Sequence, residues 1–228
     1  TTTTVANANP TYPNCQPPTS ISTPAGTPAP LAGPICGADT QSFTTVVPEQ
    51  EQWSAFLKGS VALAKDHTAS LEYFFSSNTL YRTIAPSPET GLTMPSSSPF
   101  YPGNGITPSG PAGLNRTQPI SVGWRTTDLG ARGNEQTNDT QRVVAALEGI
   151  VAGWDYQLAA LYSKANVNVD FTGGYGSRAA LVNGMAGTNG APYLNPFGPQ
   201  SAAGAAYLQA NTITGTLQDM ESTLSSLT

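Results

Sequence analysis

The stretch AGWDYQLAALYS, residues 152–163, decides the fold class. Apolar and aromatic side chains occupy every second position of this stretch, at Trp154, Tyr156, Leu158, Ala160 and Tyr162. A period of two predicts a β-strand, and the Ala-Gly pair before it predicts a tight turn. A helix over residues 140–163 is the alternative, because Ala, Leu and Glu favour helices. Gly149 and Gly153 interrupt that stretch, however, and its Val, Ile, Trp and Tyr residues favour strands.

The same alternation extends outward to other segments. Residues 53–63 and 71–76 alternate around the polar segment at 65–67, which predicts a hairpin, with Phe56 and Phe74 as the two exceptions. Residues 120–125 form a third alternating segment, and a polar bridge over 128–139 separates it from a strand at 142–151. We therefore expect an all-β protein made of antiparallel strands.

The connections between these strands are very unequal in length. The turns at 64–68 and 152–153 are short, whereas 85–117 and 173–200 are long and rich in Gly, Pro and Ser. Short turns on one side and long loops on the other are typical of outer-membrane β-barrels, and aromatic residues near strand ends are typical of their interfacial girdles. An ordinary soluble β-domain with an aromatic core is the alternative interpretation.

Three segments follow from this pattern of strands and loops. We expect residues 1–51, rich in Pro, to be an extracellular loop region with a disulfide. Residues 52–172 should hold transmembrane barrel strands, forming a partial barrel with short periplasmic turns and the long loop at 85–117. Residues 173–228 should be an extracellular loop with one short helix, over 201–210 and capped by Ser201, leading into a further strand.

Composition and charge exclude several classes of protein. Charged residues make up only 10% of the chain, and the net charge is −5 with nine Lys and Arg. Nucleic-acid binding needs a basic surface, so we expect no nucleic-acid partner. The sequence has no apolar run long enough for a transmembrane helix and no signal peptide at its start. We expect a mature or excised segment.

The reactive residues predict a disulfide and no catalysis. Cys15 and Cys36 lie in a loop-like stretch without zinc-ligand spacing, so we expect them to form a disulfide, with two unpaired thiols as the alternative. His67 is the only histidine and falls in a predicted polar turn. We therefore expect no enzyme activity, no catalytic residue, no metal site and no cofactor.

Three stretches together resemble the TonB-dependent outer-membrane receptors of Gram-negative bacteria. They are VVPEQEQWSAFLKGSVALAKDHTASLEYFFSSNTLYRTIAPSP at 46–88, VGWRTTDLGARGNEQTNDTQRVVAALEGIVAGWDYQLAALYSKANV at 122–167, and YLNPFGPQSAAGAAYL at 193–208. The Gly-Trp-Asp-Tyr sequence at 153–156 is the most specific element, since it places the periplasmic turn and the start of the next strand. The resemblance covers residues 45–228, and residues 1–44 fit only as a variable loop.

The resemblance implies a barrel of about 22 strands around a folded plug. It implies localisation in the bacterial outer membrane with loops exposed to the exterior, capture of a nutrient ligand, and uptake energised through TonB. This chain has room for five or six strands and shows no plug or TonB-box segment. The implied partners are therefore outer-membrane lipid, the remainder of the barrel and plug, the TonB complex through that plug, and an unknown nutrient.

Aromatic residues in the predicted loops are candidates for ligand contact. They are Phe100, Tyr101, Tyr175, Tyr193 and Phe197. Such rings stack on sugars or grip peptides when exposed, and the alternative is that they anchor the packing of the loops. The alternative function is a secreted or surface-exposed β-rich protein that assembles with other chains, because the free edges of a small sheet favour pairing.

Overall fold

The computed structural model describes residues 9–15, 20–23, 35–110 and 114–227 of the chain. It is mostly antiparallel β-sheet with few helices, as the alternating pattern predicts. The strands are β1 Ser20–Thr23, β2 Ile35–Ala38, β3 Glu49–Ala64, β4 His67–Ile84, β5 Pro88–Met94, β6 Ile120–Arg125, β7 Arg132–Val151, β8 Trp154–Gly176 and β9 Thr212–Leu227. The helices are α1 Arg178–Ala186 and α2 Ala202–Ala210.

The described residues form two compact units, each made of separate pieces of the chain. We call the first the loop unit; it comprises Thr1–Val46, Thr83–Gly133 and Thr172–Thr214. We call the second the sheet unit; it comprises Val47–Arg82, Asn134–Phe171 and Gly215–Thr228. The three consecutive segments expected from the sequence therefore differ from the compact units, because residues far apart in the chain pack together.

One sheet contains five strands in the order β3-β4-β7-β8-β9. The predicted hairpin over 53–76 is present as β3 and β4, which run antiparallel around a two-residue turn at 65–66. The turn between β7 and β8 consists of Ala152 and Gly153, with φ values of 53° and 84°. Positive φ at both positions matches the twist of hairpin strands. Residues 140–163 are therefore strands around a turn, and the helical alternative is wrong.

The first face of the sheet is apolar and exposed. Directly opposite residues of an antiparallel pair share a face, and Trp53, Leu57 and Val61 lie opposite Ser77, Tyr73 and Ala69. His67, on the same side of β4 as Tyr73, has its Nδ1 2.9 Å from the Tyr156 hydroxyl, which places Tyr156 and its alternate neighbours on this face too. We call this surface the apolar face; Leu57 on it is 70% exposed and Trp154 is 79% exposed.

The second face of the sheet is largely polar and hydrogen-bonded across strands. Gln50 donates to Asn78 over 2.9 Å, and the Lys58 ammonium lies 2.7 Å from the Glu72 carboxylate. We call this surface the polar face. Phe56 and Phe74, the two exceptions to the alternation, are direct cross-strand neighbours here. The two residues that break the alternation are therefore paired across the strands, so each apolar ring on this polar face has the other as its neighbour.

The loop unit holds the buried core. β5 and β6 pair antiparallel, and Leu92 and Met94 of β5 are fully buried with Val122 and Trp124 of β6. The expectation of a loop without regular structure over 85–117 is wrong at β5, where a short apolar alternation lies between Gly and Pro residues. β6 was expected to belong with the barrel strands, but it pairs with β5 in a separate two-stranded sheet.

The two helices complete this core. The predicted helix is present as α2, and the Ser201 hydroxyl accepts from the Gly204 amide over 3.0 Å as its N-cap. α1 was missed within the predicted loop 173–200, and it buries Leu181 and Met185. The single loop helix expected from the sequence is therefore corrected to two. In the described part of the chain, neither helix has the length and apolar character needed to cross a membrane.

The structure changes the expectation for the polar bridge and confirms the disulfide. The polar bridge over 128–139 is only partly irregular, since β7 already begins at Arg132. The Cys15–Cys36 disulfide is confirmed, with sulfurs 2.06 Å apart, and Cys36 belongs to β2, which pairs antiparallel with β1. Proline density excludes regular structure only locally, so a short hairpin fits between the prolines.

Candidate functional site

The loop unit contains an open cleft of about 500 Å³. Its lining includes Thr11 and Cys36 from the disulfide-linked segments and Glu89, Trp124 and Arg125 from β5 and β6. Asp128 and the turn at 196–199 also line it. A volume of this size falls within the range of small-molecule sites, which is about 300–1,000 Å³. We call it the loop-unit cleft.

Hydrogen bonds from Asn195 and Gln200 hold the turn at 196–199 that lines the cleft. Asn195, which is buried, receives a bond on its amide oxygen from the Phe197 amide over 3.0 Å and donates to the Pro199 carbonyl over 3.2 Å. Gln200 accepts from the Asn195 amide over 2.9 Å and donates back to its carbonyl. These bonds fix the backbone of the turn that carries Phe197.

Hydrogen bonds also fix the disulfide-linked part of the cleft lining. Asn9 Oδ1 accepts from both the amide and the hydroxyl of Thr11, at 2.9 and 2.7 Å. The Thr11 hydroxyl lies 3.8 Å from the Cys36 sulfur, within hydrogen-bond distance for sulfur. The disulfide between Cys15 and Cys36 therefore holds the segment that carries the Thr11 hydroxyl in place.

The charges in the cleft nearly cancel. Glu89 is paired with Arg178 at 2.8 Å and accepts from the Ser87 hydroxyl at 3.1 Å. Arg125 donates to the Pro86 carbonyl at 2.9 Å. Burial raises the pKa of Asp128 above its ordinary value, against the weaker opposing effect of the Gln200 amide, which donates to Asp128 over 3.4 Å. Asp128 and Arg125 remain as one acceptor and one donor of opposite charge.

The structure separates the five aromatic candidates. Phe197 lines the cleft. Phe100 and Tyr101 lie in the buried core, and the Tyr101 hydroxyl reaches the carbonyls of Asn115 and Gln118 at 3.2 and 2.8 Å. Tyr193 packs partly against the same core. Tyr175 lies beneath the Arg132 guanidinium, 5.8 Å from the centre of the ring.

Phe100 and Tyr101 therefore serve as packing anchors, because a fully buried ring offers no surface to a ligand. This corrects the expectation of ligand contact for these two residues. The structure adds Asp128, Arg125 and Thr11, which sequence analysis did not single out. The sequence signal for this part of the site is NPFGPQ at 195–200, because Asn and Gln at the ends of a turn rich in Pro and Gly supply the bonds that hold it.

His67 lies at the start of β4 and not within the turn itself. Its imidazole lies over Gly149, where an added Cβ would meet the ring Nδ1, and reaches Tyr156 on the next strand. No His, Cys, Asp and Glu side chains in the described ranges form a group of three or more that could hold a metal ion.

One stretch of β8 has unusual polar groups. Asn166, Asn168 and Asp170 each have a buried Oδ1 without a hydrogen-bond partner. They follow Tyr162 and Lys164 on the same side of the strand, because they continue its two-residue period. Buried acceptors of this kind need water or another donor.

Comparison with known proteins found no matching family model, no matching curated protein and no matching solved structure.

Proposed function

We propose that this chain is part of a bacterial outer-membrane receptor of the TonB-dependent type, in which the sheet unit contacts lipid and the loop unit captures the ligand. The observation that supports this best is the apolar face, which is exposed while the opposite face is polar. Barrel strands in outer membranes alternate in this way, with apolar side chains toward lipid and polar ones toward the lumen.

The apolar face has no covering layer within the sheet unit. Trp53, Leu57, Val61, Trp154 and Leu158 are all more exposed than buried or close to it. A soluble antiparallel sheet covers its apolar face with a second layer. Exposure of so many large apolar side chains in one continuous sheet surface is typical of a surface that contacts lipid or another protein.

The length of the apolar rows fits a bilayer. The row on β8 runs from Trp154 to Tyr162 and the row on β3 from Trp53 to Val61, nine positions each. A tilted strand needs about 9–11 residues to cross the hydrocarbon region. Aromatic residues end these rows, at Trp53, Trp154 and Tyr162, as expected for rings at the two membrane–water interfaces.

The polar continuation of β8 supports a boundary next to Tyr162. Lys164 pairs with Glu221 of β9 at 2.8 Å, and the unpartnered oxygens of Asn166, Asn168 and Asp170 follow. These groups need water, which the hydrocarbon region does not provide. We infer that β8 leaves the membrane between Tyr162 and Lys164.

The loop unit then becomes the ligand-capturing part. It has its own buried core and a cleft, so it is a folded structure and not a set of loose connections. Long external loops of barrels carry binding functions on a rigid scaffold. The transported nutrient, the plug and the TonB complex enter this proposal through the resemblance alone, and so does the outer-membrane location. We propose a binding and transport role without catalysis.

Tryptophan fluorescence in lipid vesicles tests the proposal with an internal control. The chain has three tryptophans, of which Trp53 and Trp154 lie on the apolar face and Trp124 lies in the loop-unit core. Three variants keep one each: Trp124→Phe with Trp154→Phe, Trp53→Phe with Trp124→Phe, and Trp53→Phe with Trp154→Phe. The chain is folded into vesicles whose acyl chains carry bromine, a short-range quencher.

We expect bromine to quench Trp53 and Trp154 strongly and to leave Trp124 unchanged. Equal quenching of all three residues, or none at Trp53 and Trp154, contradicts a lipid-facing sheet. Unbrominated vesicles of the same composition provide the reference intensity for each variant.

A second candidate function is assembly with other chains, supported by the end positions of β3 and β9 in the sheet order. Each has one neighbouring strand within the described residues, so each presents backbone donors and acceptors on its other side. Concentration-dependent association in water, without quenching by brominated lipid, would favour this function over the receptor.

A further inference from the structure

We propose that the loop-unit cleft binds a short neutral oligosaccharide. The inference rests on the proposed function in taking the loop unit as the ligand-capturing part, and it deepens that function by naming a class of ligand. It starts from the contents of the cleft, which combine the aromatic residues Trp124 and Phe197 with hydroxyl, amide, carboxylate and guanidinium groups.

The first step concerns charge. Glu89 is neutralised by Arg178, and the lining also includes Asp128 and Arg125, whose charges are opposite. An anionic or cationic ligand would gain little from such a balanced site. A neutral ligand with many hydroxyl groups suits it, because each hydroxyl both donates and accepts and can bind carboxylate and guanidinium groups alike.

The second step concerns shape and surface. Phe197 packs against the core and also lines the cleft, so the part of its apolar surface that stays exposed lies among polar neighbours. A sugar has an apolar C–H face with hydroxyls around its edge. Lipophilic ligands fit poorly because pockets for them are lined mainly by apolar side chains. A volume of about 500 Å³ suits a ligand of a few sugar rings better than a single small metabolite.

The third step concerns preorganisation. Asn195 and Gln200 hold the turn that carries Phe197, and the disulfide holds the segment that carries Thr11. A site held before binding loses less entropy when the ligand arrives.

Gly123 supplies a sharp variant. It lines the cleft from β6, between the buried Val122 and Trp124, and a Cβ there would meet only the Glu89 carbonyl, at 3.9 Å. Gly123→Val therefore adds bulk to the cleft while leaving the core side of β6 unchanged. Phe197→Ala removes the stacking ring, and Asp128→Asn removes the charge. Asp155→Asn, on an exposed position of β8, is the matched control.

The experiment screens the full chain in vesicles against an array of short glucans, xylans, mannans, galactans and chitin fragments. Binding is then titrated by Trp124 emission in the chain that carries Trp53→Phe and Trp154→Phe. We expect saturable binding of at least one neutral oligosaccharide. We expect roughly tenfold or greater weakening by Gly123→Val, Phe197→Ala and Asp128→Asn, and none by Asp155→Asn.

Three results would overturn the proposal: no neutral oligosaccharide binds, only charged glycans bind, or binding survives in Gly123→Val and Phe197→Ala. Unchanged thermal unfolding of the Gly123→Val chain, compared with the Asp155→Asn control, shows that its loss of binding is not a loss of folding. Lipid quenching of Trp154 together with a failed glycan screen would sink the ligand inference and leave the membrane proposal standing. Glycan binding without lipid quenching of Trp154 would sink the membrane proposal and leave the ligand inference standing.

Discussion

The β3–β4 and β5–β6 hairpins have the same alternating sequence pattern and opposite environments. In β3, Trp53, Leu57 and Val61 recur at even spacing and are exposed. In β6, Val122 and Trp124 also alternate, and they are buried against Leu92 and Met94. A period of two thus determines which side chains share a face, but it does not determine what covers that face.

The difference arises from what each hairpin's neighbours supply. Leu181, Met185 and Leu208 from the two helices join Leu92 and Met94 in one core cluster. The β3–β4 hairpin has only further strands beside it in its sheet. Its apolar residues are exposed among the described residues, and we propose that lipid covers them.

The largest effect should come from Leu92→Ala in the covered hairpin. Leu92 is fully buried, so its truncation leaves a cavity and should destabilise the loop unit by about 2–5 kcal/mol. Chemical unfolding followed by Trp124 emission measures this change.

Leu57→Ala in the uncovered hairpin is the matched comparison, measured in water. Leu57 is exposed there, so the same truncation should cost much less. Equal losses for the two variants would mean that the hairpins are not opposites after all.

A charge on the apolar face should be costly only in lipid. Leu158→Arg should destabilise the membrane-inserted sheet by about 2–4 kcal/mol if the site lies near mid-membrane. Gln157→Arg, one position along β8 and on the opposite face, is the control. Urea titration of folding in vesicles compares the two, and a cost for Gln157→Arg equal to that for Leu158→Arg would contradict the assignment of faces.

Loss of the disulfide should affect the loop unit and spare the sheet. Closing a loop of 21 residues in sequence separation stabilises by roughly 3 kcal/mol in the chain-entropy model. We expect Cys15→Ser with Cys36→Ser to lower the stability reported by Trp124. Emission from Trp53 in its own single-tryptophan chain should stay unchanged; a matching shift there would argue against separate units.

The smallest effect concerns the pH dependence of the loop unit. The pKa of Asp128 is raised by burial, so the folded state holds a proton more tightly than the unfolded chain, and stability falls as pH rises through that window. Asp128→Asn should therefore be more stable than the parent at neutral pH, and the gain should shrink below the ordinary carboxyl range. Thermal unfolding at pH 7 and at about pH 3 measures it, and a gain independent of pH would contradict burial as the cause.

The strands and one helix were predictable because their signals are local. The alternation at 154–162 predicted β8, and Ser201 predicted the start of α2. α1 was missed because Gly and Asn residues around it resemble a loop, and its burial depends on Leu194 and Leu208 from elsewhere in the chain. The cleft was not predictable in the same way: Thr11, Arg125 and Asp128 are brought together by the fold, and nothing in their spacing connects them.

The contact among His67, Gly149 and Tyr156 has a consequence for how the strands find their partners. A slip of two residues between β4 and β7 would keep every side chain on its correct face, so hydrophobicity alone would not penalise it. Such a slip would, however, place the imidazole against Leu147 or Val151, where a side chain occupies the space that Gly149 leaves open. Because Gly149 has no side chain, the His67 ring fits only in the native register of β4 and β7. The alternating pattern repeats every two residues and leaves the register of these strands open, and the pairing of His67 with Gly149 fixes it at this point.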